Sequence, residues 1–148
     1  MNSCLDCKKI LDSVAEKASL KSIGIPLCGH HQQLIHRLMK LHATPLEAVQ
    51  LYYGLKEAGA APMLEWWDGH RSVDIALSRV RLNLEIDTEY QMFTCDQALN
   101  ILEERMYSFK EGFTTIRIPH MLIRQCLPDT IDAVLGIMEG LRARSRAV

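Results

Sequence analysis

Apolar positions along this chain change their period several times. Residues 1 to about 31 have weak periodicity. From His31 to Leu41, the residues Leu34, Ile35, Leu38, Met39 and Leu41 line one side of a helix. Thr44-Pro45 breaks it and opens another: Thr44 can cap, Pro45 sits where its missing N–H costs nothing, and Glu47 falls in the first turn. This helix is expected to stop at Gly59. A strand follows around Met63–Trp67, then an Asp68-Gly69 turn signal and two further strands. Asp96 to about Lys110 reads as a helix with Ala98, Leu99, Ile101, Leu102, Met106 and Phe109 as its apolar, core-facing side. Gly112 ends it, 113–118 is a strand stopped by Pro119, and a last helix runs from about Asp129 into an Arg-rich terminus. The order predicts a mixed α/β fold, a central mixed sheet flanked by helices, preceded by a small N-terminal segment. The expected division is 1–43 and 44–148.

The middle strands carry the acids. In Arg71-Ser72-Val73-Asp74-Ile75-Ala76-Leu77, Val73, Ile75 and Leu77 share one face and leave Asp74 on the other. In Leu82-Asn83-Leu84-Glu85-Ile86-Asp87 the leucines and Ile86 share a face, with Asn83, Glu85 and Asp87 opposite. Only Ser78-Arg79-Val80-Arg81 separates the strands, so a hairpin would gather Asp74, Glu85 and Asp87. Like charges that close repel, and a hard divalent cation held by oxygen ligands is the usual remedy. A solvated acidic face neutralised by Arg79 and Arg81 is the alternative.

Composition narrows the class. With 148 residues, 48% apolar and 24% charged, the chain fits a soluble globular protein, and no apolar run approaches the roughly 18 residues that span a bilayer. The N-terminus lacks a signal-peptide layout, so a cytoplasmic location is expected and the five cysteines are read as thiols or metal ligands. A net charge of −1 exerts no global pull on nucleic acid, so such binding must come from local patches.

Cys4-Leu5-Asp6-Cys7 and Cys28-Gly29-His30-His31 give C-x2-C, a spacer of 20 residues, then C-x2-H. Two residues between paired ligands let a tight turn aim both at one ion, and zinc takes four. Cys4, Cys7, Cys28 and His31 (His30 in its place is possible) therefore read as a closed, structural zinc site whose metal would supply folding energy to a segment too short for a core. Reduced cysteines beside surface histidines are the alternative.

Taken together, Thr44-Pro45-Leu46-Glu47 opening a helix, Gly69 to Ala76 and Asn83 to Asp87 on strands, Tyr107 to Gly112 closing a helix, and Thr115 to Pro119 on a strand resemble the restriction-endonuclease-like, or PD-(D/E)XK, superfamily. Within it the pattern is similar to the branch of the very-short-patch repair endonucleases, over about residues 44–140. The resemblance implies a Mg²⁺- or Mn²⁺-dependent DNA phosphodiesterase. Asp74 would be the principal metal ligand with Glu85 beside it, Asp87 the branch's further acid and Glu47 its helical glutamate. In the branch the acidic strand runs on to glycine and then histidine, whereas this chain has Thr88 and, near the histidine's place, Gln91. Gln cannot exchange a proton near neutral pH, so His70 or His120 substitutes or activity is weakened or lost.

Arg71, Arg105 and Arg117 are candidates for backbone phosphate, which arginine contacts bidentately. Each site residue also has an ordinary reading: Glu47 as a first-turn acid, His70 as a turn residue, Trp66-Trp67 as part core, and Arg142, Arg144 and Arg146 as a solvated end. The expected partner is DNA, with a protein partner or homodimer possible and neither membrane nor organic cofactor. The expected functions are a zinc-braced metal-dependent endonuclease, a catalytically degenerate nucleic-acid-binding or recruitment module on the same fold, or a zinc-stabilised protein–protein adaptor.

Overall fold

The computed structural model describes residues 2–87 and 95–146, apart from the side chains of Ala98 and Arg105. The expectations resting on Thr88, Gln91 and the side chain of Arg105 lie outside these residues. The elements are α1 (Ser13–Ile23), α2 (Gly29–His42), α3 (Leu46–Glu57), β1 (Met63–Trp67), β2 (Ser72–Leu77), β3 (Leu82–Asp87), α4 (Cys95–Lys110), β4 (Thr114–Pro119) and α5 (His120–Arg146). Four strands form one sheet in the order β1-β2-β3-β4. β1, β2 and β3 are antiparallel neighbours, and β4 lies parallel to β3 after the crossover through α4. This is the mixed sheet flanked by helices that the sequence predicts. No helix among the described residues is long and apolar enough to cross a membrane.

The β2–β3 register pairs Ile75 with Leu84 and Leu77 with Leu82, so the alternating aliphatics meet on one face. There they join Ala48, Leu51 and Leu55 of α3 and Ile123, Val134 and Met138 of α5 in the main core. The opposite face is half-covered. Asn83 is fully buried beside a cavity of about 100 Å³ lined by Trp66, Asp68, Tyr107 and Ser108. It therefore lies beneath α4 rather than on an open acidic face.

A second core holds the N-terminal segment. Leu11, Ile23, Ile25, Leu27 and Ile35 pack with Val49 and Tyr53 of α3. α3 thus has apolar partners on two sides, which accounts for its poor amphipathic pattern in sequence. α1 was not predicted. Asp12 caps it through the Ala15 N–H at 2.8 Å, and Gly24 ends it at φ +75°.

Three expectations change. Thr44 does not cap α3: Pro45 takes that position, and the Thr44 hydroxyl donates to Glu65 instead. The chain is already helical from His120, a stretch the periodicity did not show; it is broken at Cys126, whose φ of −137° and ψ of 44° are not helical, and the second helical stretch, with Pro128 in its first turn, begins close to the expected Asp129. The α4 stripe is not core. Leu99, Leu102, Met106 and Phe109 are all more than half exposed, because α4 docks through Ile101, Glu104 and Ser108, one helical turn apart on another side. Periodicity identified the stripe but not what covers it. Leu84→Ala should accordingly cost about 2–5 kcal/mol in urea unfolding. Leu102→Ala should stay within about 0.5 kcal/mol.

Candidate functional site

Two groups of side chains stand out, at opposite sides of α3. In the first, Cys4 and Cys7 flank a tight turn in which the Lys8 N–H bonds the Cys4 carbonyl and Lys8 adopts φ +64°. Cys28 is presented by a loop that buried Ser19 fastens: its hydroxyl donates to Ile25 O at 2.6 Å and accepts the Leu27 N–H at 2.8 Å. His31 follows in the first turn of α2. The three sulfurs and the His31 ring nitrogen lie within 4.8 Å of one another. Tetrahedral Zn–S bonds of about 2.3 Å imply S···S separations of about 3.8 Å. Cys7 and Cys28 sulfurs are 3.9 Å apart, and Cys4 Sγ is 3.6 Å from His31 Nδ1. This Cys3His group could hold zinc, with His31 rather than His30 in the set.

Two further observations fit a metal. Burial opposes charge on Cys4, yet the backbone N–H groups of Cys7, Cys28 and Asp6 hold its thiol down at about 6, favouring the thiolate that binds metal. The other His31 nitrogen, Nε2, faces Asp6 Oδ1 at 3.3 Å, which leaves the Nδ1 lone pair aimed at the sulfurs. Asp6 is itself held. Tyr53 donates to its Oδ2 at 2.7 Å and Lys56 Nζ lies 3.7 Å from its Oδ1. Burial and the Asp6 charge push the Tyr53 phenol up, so it remains a donor. Asp6 escaped the sequence analysis, although an acid between two ligands was a visible signal.

The second group lies where β1, β2 and β3 run side by side. Asp74 Oδ2 accepts the Ile86 N–H at 2.8 Å, a side-chain bond just beyond the Ile75–Leu84 pair of the ladder. Opposite Asp74 on β1, between the Leu64–Ile75 and Trp66–Val73 pairs, stands Glu65. Its φ of +50° is strained for a residue with a Cβ and breaks the alternation of β1. Leu64 packs on the main core, while Trp66 lines the α4-side cavity and meets the Phe113 ring at 5.4 Å. Thr44 and Ser72 hydroxyls fix the Glu65 carboxylate at 2.5 and 2.6 Å. Sequence reasoning missed Glu65 because neither its backbone conformation nor its cross-strand neighbour leaves a local pattern.

Burial, with Glu65 and Glu85 nearby, outweighs the Ile86 N–H and Arg71 and pushes Asp74 up to about 6. The other acids are matched by arginines. Glu85 pairs with Arg71, which also approaches Glu104 of α4 at 3.4 Å. Asp87 pairs with Arg117 at 3.3 Å, and buried Glu47 accepts from Arg124 Nε at 2.5 Å. Asp74, Glu65 and Glu85 thus influence one another, whereas Asp87 and Glu47 each engage an arginine of their own. Among the described residues the Cys3His group alone gathers three close metal-ligand atoms. Two carboxylates suffice for Mg²⁺, which keeps several waters. His70 sits in a turn that Asp68 fastens through two N–H bonds, its ring 5.0 Å from that of Tyr107. His120, at the start of α5, has Nδ1 3.1 Å from the Asp87 carbonyl.

No family model and no curated protein sequence matches the chain. Among solved structures, the catalytic domain of the homing endonuclease I-Bth0305I is similar to it, with a TM-score of 0.48 and 12% identity over 66% of this chain and 94% of that domain.

Asp6→Ala should weaken zinc binding about 10–100-fold in competition with a chromophoric chelator, since it removes the acceptor that orients His31. Asp74 gives a stability test. The folded chain binds its proton more tightly than the unfolded chain, so stability declines as pH rises from about 4 through 6 and then levels off. Asp74→Asn, which keeps an oxygen for the Ile86 N–H, should raise unfolding free energy by about 1–3 kcal/mol near pH 7. The gain should vanish near pH 4.

Proposed function

We propose that this chain is a metal-dependent nuclease acting on DNA, with Mg²⁺ or Mn²⁺ at Asp74 and Glu85 and a structural zinc at Cys4, Cys7, Cys28 and His31. The observation that carries the reading is the half-buried Asp74 carboxylate opposite Glu65 and Glu85 on the neighbouring strands, raised to about 6 first by burial and then by those two acids. A cation bound there would offset both effects. The position of the acids on adjacent strands supports the likeness to the very-short-patch-repair branch.

The donor set fits the cation. One Asp74 oxygen is engaged by Ile86, and the other is available, with Glu85 across the strand pair. Bound there, Mg²⁺ would polarise a phosphate oxygen and lower the pKa of water. The residues themselves do the rest. Glu65, locked by Thr44 and Ser72, keeps the local potential negative. Arg71, between Glu85 and Glu104, offers a guanidinium for phosphate, and Arg117 offers another beside Asp87. His120 is the better proton-transfer candidate than His70. A carbonyl only accepts, so Nδ1 carries the proton toward Asp87 O and Nε2 presents its lone pair.

A second reading has its own observation. Arg71, Arg117 and Arg124 already neutralise Glu85, Asp87 and Glu47, as in a module that binds nucleic acid without cutting it. Plasmid nicking decides between them. Wild type with Mg²⁺ or Mn²⁺ should nick, and Asp74→Ala or Glu85→Ala should lose at least about a hundredfold. Because Asp74 binds metal only when ionised, nicking should decline as pH falls through about 6. Salt-sensitive binding without cleavage in either metal would favour the degenerate module, and no binding to any DNA or RNA would leave the protein–protein adaptor.

A further inference from the structure

Four arginines meet at the other end of the β2–β3 pair. Arg79 and Arg81 come from the turn joining these strands, and Arg142 and Arg146 from the last turns of α5. They line one open cavity of about 340 Å³ that Thr114 and Ser145 also line, with no carboxylate on its wall among the described residues. Among the described residues, the arginines engaged in ion pairs are Arg71, Arg117 and Arg124, and none of these four.

The cavity is built around Arg81. This residue holds φ +51°, its N–H bonds Ser78 O, and its carbonyl accepts the Thr114 N–H at 2.9 Å. Its guanidinium lies across Gly112, where a Cβ would come within 2.7 Å of Nη1. Gly112, itself at φ +84°, presents no side chain there and leaves that space to the guanidinium. Uncompensated guanidinium groups sharing one wall repel one another, and a multiply charged anion relieves that.

We propose that this cavity binds phosphate groups. It is separate from the carboxylates: Glu85 lies three residues along β3 from Leu82, which follows Arg81 at the cavity, a span of about 10 Å at about 3.3 Å per residue. It therefore takes a different phosphate from the one at Asp74. The source is either the backbone of a nucleic acid strand beyond the scissile bond, which rests on the nuclease reading, or a small oligophosphate ligand, which does not.

The test uses the full chain without added Mg²⁺ or Mn²⁺, so that binding is read apart from cleavage. The variants are the pair Arg81→Ala with Arg142→Ala, the pair Arg79→Ala with Arg146→Ala, and Arg144→Ala. Arg144 lies on the same exposed helix end but does not line the cavity. Each is titrated with a labelled DNA duplex across a KCl series, and separately with inorganic tripolyphosphate while the thermal midpoint is followed. On DNA, each double variant should flatten the slope of log K against log salt by about 2 units, and Arg144→Ala should leave it unchanged. That outcome assigns the cavity to a nucleic acid backbone. An unchanged slope, with saturable tripolyphosphate stabilisation of wild type lost in the double variants, assigns it to a small phosphorylated ligand. Double variants that match wild type in both titrations, or an Arg144→Ala effect as large as theirs, would overturn the proposal. If wild type binds no DNA, the nuclease reading fails, and tripolyphosphate alone decides the cavity.

Discussion

Burial of α3 on two sides is the constraint on which the other parts rest. Ala48, Leu51 and Leu55 enter the sheet core, while Val49 and Tyr53 enter the core of the N-terminal segment. A helix so enclosed cannot rotate or slide without opening one of the two. It also links the two chemical groups. Its start carries Glu47, and Thr44 just ahead of it holds Glu65 opposite Asp74; about two turns further on, Tyr53 holds Asp6 behind His31. A metal bound at the Cys3His group would therefore add its free energy to the packing of α3 as well as to its own loop.

The sheet has electrical polarity along its strands. One end of β2 and β3 concentrates Glu65, Asp74 and Glu85, and the other concentrates Arg79, Arg81, Arg142 and Arg146. A net charge of −1 conceals this separation. For a polyanionic substrate the arrangement is coherent, since attraction is remote from the acids that would otherwise repel it. The acidic end also carries a folding cost, because an ionised Asp74 is less stable in the folded chain than in the unfolded one.

Much of this was legible in sequence where the determinants are local. C-x2-C and C-x2-H spacing is a property of short turns, and His31 is the histidine that stands with the three cysteines in a group that could hold a metal. The alternation in β2 and β3 correctly placed Val73, Ile75, Leu77, Leu82, Leu84 and Ile86 on the core face. What failed depends on distant partners. Asn83 shares a face with the acids but is roofed by α4. Glu65 is distinguished by a left-handed backbone and by lying across from Asp74, neither of which composition records. The α4 stripe has a faultless helical period, yet period reports amphipathy and not burial. The helical stretch from His120 to Cys126 went unseen, while the one after Cys126 begins near the expected Asp129.

The junction at Tyr53 also bears on biosynthesis. Cys4, Cys7, Cys28 and His31 leave the ribosome about twenty residues before Tyr53 does, a delay of roughly one to four seconds at ordinary elongation rates. Through that interval the nascent chain has all four soft ligands but neither the phenol that steadies Asp6 nor the apolar lid from Val49. Its thiols are then most open to oxidants and to competing metals. The arrival of α3 closes that window, because only then are the Tyr53 phenol and the Val49 side chain in place around the four ligands.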